Sequence, residues 1–326
     1  MTPFDDQITS LLRDDLSLLA LPLFALAIAL EAWHSHRHRL RRYQASDTVA
    51  SLSMLLASAI VEVLPKLVAV TAMVVLHEIS PLRDLVGRQW WAWLLLFFLE
   101  DVSYYWFHRA NHSMRLLWAG HVNHHSSRYL NFGTALRQGV GERVHKYLFW
   151  LWLPLLGFDA LMIVTMMALS LFYQFWIHTE LVSTLPKPLE WLFNTPSHHR
   201  VHHASNIRYL DRNHGGVLIL WDRLFGTFSP ELPSDPCCYG LTHNISSSNP
   251  WTVLSHEYQS LWHDLRRAPR LVDRLRYLYL APGWHHDGDD HRSAVLRAAA
   301  QNSTTSSKPG AAPTVKDKSS PNSPSR

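Results

Sequence analysis

Residues 198–203 read His-His-Arg-Val-His-His, with Arg200 the only charged side chain among them. Neutral imidazole is the commonest protein metal ligand. On a helix, His199, His202 and His203 stand at i, i+3 and i+4, which is one face. Three nitrogens there could hold a metal and leave coordination positions open. The same H-x-x-H-H spacing recurs at His121, His124 and His125. His108 and His112 are i, i+4, a common two-ligand spacing, and His178 closes an apolar stretch. These nine histidines exceed the four ligands of a structural zinc site and suit two metals, each with open positions. The only cysteines, Cys237 and Cys238, are adjacent and can build neither a disulfide framework nor a C-x-x-C pair. Any metal must then be held by histidine with carboxylate or amide help, which favours iron, copper or zinc. His145, His243, His256, His263, His285, His286 and His291 stand apart and read as surface or satisfied side chains.

The elements that position these residues are strongly apolar. Of 326 residues 47% are hydrophobic and only 17% charged, below the roughly 25% charge of soluble domains. The mean hydropathy of −0.08 averages apolar blocks with a polar C-terminal tail. A net charge of +4, concentrated in one local cluster, excludes a nucleic-acid reading. Leu16 to Trp33 is long enough to cross a bilayer, and Pro22 within it is tolerable there. The basic flank after it, Arg37, Arg39, Arg41 and Arg42, marks a cytoplasmic end. His34, His36 and His38 belong to this interfacial patch. Residues 48–78 form a second block, interrupted by Glu62, Pro65 and Lys66; it reads as a membrane hairpin or one bent helix. Trp90 to Phe107 is a third span, with Glu100 and Asp101 either functional or at the interface. Residues 147–178 read as a helical hairpin divided by Pro154, Gly157 and Asp159. Leu261 to Leu280 has amphipathic helical patterning.

The expected fold is all-α: an integral-membrane bundle of about four spans with a cytoplasmic, histidine-rich helical cap. A single crossing of 48–78 puts every histidine group at the cytoplasmic face. The organisation expected is N-terminal membrane helices over 1–100, a catalytic domain over 101–235 containing the hairpin 147–178, interfacial helices over 236–298, and a disordered tail over 299–326. An open, thiolate-free, paired metal site at a membrane face suits O₂ activation on lipid, where unactivated C–H bonds abound.

The ordered motifs H-x3-H, H-x2-H-H and H-x2-H-H resemble the fatty acid hydroxylase / sterol desaturase superfamily of integral-membrane di-iron oxygenases. Over about 101–230, the stretches Tyr104 to Arg109, Trp118 to His121, His124 to Ser127, Thr134 to Gln138, Gln174 to Glu180, Asn194 to His203 and Trp221 to Phe228 look most like its alkylglycerol monooxygenase branch. That resemblance implies two Fe ions, O₂, a lipid substrate and an external electron donor, either tetrahydrobiopterin or a reductase/cytochrome chain acting as an electron-transfer partner. It implies His108, His112, His121, His124, His125, His178, His199, His202 and His203 as ligands, with no catalytic residue beyond the metal centre. His198, Gln174, His214 and Asp101 are supporting candidates. Gln174 stands where some members carry a further histidine, so a water or an amide could complete one coordination shell. Ser113 replaces a Glu, and His214 the Tyr of an Asn-Tyr-Gly segment, as a substituted aromatic rather than an extra ligand. The implied location is a bacterial inner or ER-type membrane, the histidines facing the cytoplasm. Rival readings are a His-rich membrane metal binder or zinc transporter, and a scaffold that kept the motif without catalysis.

Overall fold

A computed structural model describes residues 16–306. Among them there are helices and three isolated bridges but no strand, so the fold is all-α. Helix α1 (Leu16–Arg37) contains Pro22 and α2 (Ala45–Glu78) contains Pro65. The 48–78 block is thus one helix, not a hairpin. Its polar interruption has partners on the next segment: Glu62 accepts from the Tyr147 hydroxyl at 2.6 Å and pairs with Arg143 at 3.4 Å and Lys146 at 3.5 Å. Among the described residues, α2 is the one helix long and apolar enough to cross a membrane. Leu56, Ile60, Val63 and Leu64 all lie exposed along it.

Helix α3 (Trp90–Ser113) carries His108 and His112 in its last turns, and α4 (Arg115–His125) follows after Met114. The first arm of the expected helical hairpin is not an α-helix. Three 3₁₀ turns, Gly141–Val144, Lys146–Trp150 and Pro154–Leu156, carry the chain to Gly157, which turns it at φ 91°. Pro154 lacks an N–H and glycine adopts that φ without strain. Helix α5 (Ala160–Trp176) then returns toward His178, capped by the Asp159 carboxylate on Met162 N at 2.9 Å. The main apolar core joins Met73 of α2, Leu96 of α3, Trp150 and Leu153 of the 3₁₀ arm, and Ile163 of α5.

The short helix α6 (Pro196–His202) has Pro196 in its first turn and a capping box between Thr195 and His198. The amphipathic stretch divides into α7 (Pro250–Arg267) and α8 (Leu271–Tyr279), because Pro269 disfavours helix at the residue before it. Helix α9 (Ser293–Ser306) runs past residue 299 into the segment expected to be disordered; Ala298, Ala299 and Ala300 are strong helix formers. The rest of that tail lies outside the described residues.

Arg115 ties this C-terminal layer to α4. Its guanidinium donates to Glu257 at 2.8 Å, Asp264 at 2.6 Å and Ser260 at 2.9 Å, all on α7. Removing the buried guanidinium leaves two half-buried acids uncompensated. Arg115→Ala is expected to cost roughly 3 kcal/mol, read as a lower unfolding midpoint in detergent with new proteolytic cleavage between α7 and α8.

Candidate metal centre

The structure brings all nine sequence-derived histidines into two adjoining buried groups. His108, His112, His121, His125 and His202 form one, and His124, His178, His199 and His203 the other; within each, the candidate ligand atoms lie within 4.8 Å of one another. Each H-x-x-H-H motif therefore serves both groups, rather than one face each. His121 and His125 join the first and His124 the second; His199 and His203 join the second and His202 the first. At 3.6 residues per turn, i and i+4 diverge by about 40° while i+3 falls about 60° to the other side. Between two metals that split sends i and i+4 to one and i+3 to the other.

The ring orientations are set from outside. Nδ1 of His108 meets the His214 carbonyl at 3.0 Å, that of His124 the Arg137 carbonyl at 3.0 Å, that of His178 the Gln174 carbonyl at 2.7 Å, and that of His202 the Arg212 carbonyl at 2.9 Å. A carbonyl only accepts, so each Nδ1 carries the proton and each Nε2 a lone pair. Asp211 does the same for His112 at 3.2 Å, and Glu142 for His121 at 2.6 Å. Inside, Nε2 of His108, His112 and His202 is buried without a hydrogen-bond partner. His178 Nε2 faces His124 Nε2 at 3.4 Å and His199 Nε2 at 2.8 Å. Lone pairs held face to face in a dry space are unfavourable unless a cation lies between them. The donor set fits metal: neutral imidazoles, six of them with the outer nitrogen fixed by an acceptor.

Burial holds the rings neutral. It pushes His121 below its ordinary value and His124 down to about 3, with neighbouring imidazoles adding to the effect. Burial conversely raises Glu142 to about 7. Glu142 reaches His121 because α4 approaches its turn closely: a Cβ at Gly120 would stand 2.7 Å from Glu142 N.

The supporting candidates fall elsewhere than expected. Gln174 turns its amide to Ser170 Oγ at 3.0 Å, so its backbone carbonyl, not its side chain, serves the site. Asp101 touches no ligand; it accepts from Val217 N at 2.7 Å, Leu218 N at 3.0 Å and Trp221 Nε1 at 2.8 Å, fixing the loop that follows His214. His198 faces outward, 3.0 Å from Glu190 and edge-on to Phe228. His214 is buried beside the five-histidine group, its ring 5.1 Å from that of His112, but it lies outside the set of close ligand atoms. His145 bonds Asn111 at 2.8 Å and joins neither group. Asp211 and Glu142 were missed, since nothing in the local sequence joins them to histidines 99 and 21 residues away.

Residues 93–227 match the family model described as Fatty acid hydroxylase. The chain is 41% identical to alkylglycerol monooxygenase of Danio rerio, over 73% of this chain and 53% of that protein. It is 37% identical to the Xenopus tropicalis protein of the same name, over 80% and 58%. The Homo sapiens protein is 38% identical, over 73% and 53%. The chain thus spans about half the length of the curated relatives it matches. These relatives lend no support to a zinc transporter, and no solved structure matches the chain.

Two outcomes follow for the metal-free protein and its outer acceptors. A histidine held below its unfolded value binds fewer protons folded than unfolded, so stability is present above about pH 6.5 and is lost as pH falls below it. Each such group contributes a slope of up to about 1.4 kcal/mol per pH unit; unfolding midpoints measured across pH 4–8 after chelation should fall steeply on the acid side. Glu142→Gln keeps the shape and removes the carboxylate from His121, so metal affinity by chelator competition should drop roughly 10- to 100-fold.

Proposed function

We propose that this chain, which carries a fatty acid hydroxylase domain at residues 93–227, is a membrane-bound di-iron oxygenase that oxidises a C–H bond of a lipid, an ether lipid of the alkylglycerol type fitting best. The inward-facing Nε2 atoms, fixed by outward Nδ1 donors, carry this reading. His108, His112, His121, His125 and His202 would hold one iron, and His124, His178, His199 and His203 the other. Bound iron would supply O₂ activation. In balance, the lipid C–H, O₂, two electrons and two protons give C–OH and water. Desaturation shares the hydrogen abstraction and differs only afterwards.

The chain's own contribution is to hold nine neutral imidazoles in a dry space and, at six of them, to keep the outer proton on a carbonyl or on the carboxylates of Asp211 and Glu142. Two electrons come from an external donor, a reduced pterin or a reductase/cytochrome chain. The Ser113 hydroxyl donates to the Arg109 carbonyl at 2.7 Å, so no carboxylate stands at that position as it does in the alkylglycerol branch. That difference leaves the ligand set intact and bears on the donor and the substrate.

The membrane reading rests on the exposed apolar length of α2 and the basic collar at Arg37–Arg42. With α1, α2 and α3 each crossing once and the 147–178 hairpin entering and returning on one side, the histidine ends of α3 and α5 meet at the cytoplasmic face.

Purified protein should contain about two irons per chain and oxidise an alkylglycerol only with O₂ and a reductant. His199→Ala should remove one iron selectively, with loss of turnover by at least about 10³-fold; one zinc, or metal content indifferent to His121→Ala and His199→Ala, would sink the reading.

A further inference from the structure

A groove of about 370 Å³ lies between α1 and α2, lined only by apolar side chains. Phe24, Ala25, Ile28 and Ala29 form one wall, Leu52 the other, and Leu136 closes the inner end. Its volume lies in the range of small-molecule sites. It is not an isolated pit: Leu26, Leu56 and Ile60 lie exposed on the same two helices, so it opens onto the face that would meet lipid tails.

Two features connect it to the histidines. Leu136 precedes Arg137, whose carbonyl fixes His124 Nδ1 at 3.0 Å and whose guanidinium is held by Asp47 and Ser51 at the start of α2. Phe24 stacks on Phe175 at 4.0 Å, three residues before His178. The inner end of the groove thus abuts the supports of the four-histidine group. A third feature gives it polarity. From Ala29 to Arg37 α1 rises roughly 12 Å, to the collar of Arg37, Arg39, Arg41 and Arg42. There Arg42 Nη1 is buried without a hydrogen-bond partner, while its Nε faces Glu180 at 3.3 Å.

We propose that this groove is the seat of the substrate's hydrocarbon chain, for a single-chain lipid with its polar end toward the Arg37–Arg42 collar and its tail lying toward Leu21. The inference rests on the lipid-oxygenase reading and names the part of the substrate that the chain recognises. The polar end then lies at the collar, and the far end of the tail lies toward Leu21.

The test uses the iron-loaded full chain in nanodiscs with hexadecylglycerol carrying a diazirine at the far end of its tail. Labelling should map to Leu21, Phe24 and Ala25, saturate, and be competed by unlabelled hexadecylglycerol but not by dioleoyl phosphatidylcholine. Ala25→Trp and Ala29→Trp fill the groove from exposed positions and should abolish that label while leaving iron content unchanged. They should also shift the preference between decylglycerol and hexadecylglycerol toward the shorter chain by roughly tenfold or more. Leu26→Trp, on the same helix outside the groove, should change neither. Label spread without saturation over exposed α2 residues means annular lipid only and overturns the proposal. So does an unchanged chain-length preference in both groove variants. If the protein holds no iron pair yet labels saturably in the groove, the oxygenase reading fails and the groove assignment stands. If iron and turnover are present and the label lies elsewhere, the groove assignment alone fails.

Discussion

The structure depends on one constraint: nine uncharged imidazoles are packed together, and at six of them an outer acceptor turns the lone pair inward. Such an arrangement is unfavourable by itself. Burial strips water from the ring nitrogens, and His178 and His124 face each other with both protons held on the outside. A buried polar atom without a partner costs about 1–3 kcal/mol, and Nε2 of His108, His112 and His202 all lack one. The scaffold must supply this cost from packing elsewhere, and a cation would repay it on arrival. The site is built to be completed.

The outer acceptors are the means by which the scaffold holds that arrangement. Four are backbone carbonyls, which act through the path of the chain and not through side-chain chemistry. The loops carrying them are themselves pinned: Asp101 fixes residues 217 and 218, Asp222 takes the N–H groups of His214 and Gly215, and Asp47 holds Arg137. Asp101, a supporting candidate in the sequence, anchors backbone. Helix geometry then divides each H-x-x-H-H motif between two centres, so each motif links the two groups and neither group is assembled from one segment.

The same architecture sets an apolar exterior beside a polar interior. Helix α2 shows Leu56, Ile60, Val63 and Leu64 outward and turns Glu62 to Tyr147, Arg143 and Lys146. The histidines lie where α3, α4, α5 and α6 converge, beyond the apolar core of Met73, Leu96, Trp150 and Ile163. Oxidative chemistry on a lipid requires this juxtaposition of a dry nitrogen-rich pocket and an apolar approach.

What the sequence determined by itself was the helical class and the identity of the clustered histidines, because both are local: apolar periodicity and i, i+3, i+4 spacing are properties of short segments. Only the tertiary structure decided which histidine joins which group, because that depends on how four segments converge. Contacts across 99 and 21 residues, Asp211 to His112 and Glu142 to His121, leave no trace in local spacing. The 3₁₀ arm was hidden because an apolar run does not reveal how Pro154 and Gly157 will turn it. The single helix over 45–78 was open because a Glu, a Pro and a Lys interrupt the apolar run, and the partners of Glu62 lie on another segment. Roles carried by backbone carbonyls, such as that of Gln174, are independent of side-chain identity, so no residue type could have announced them.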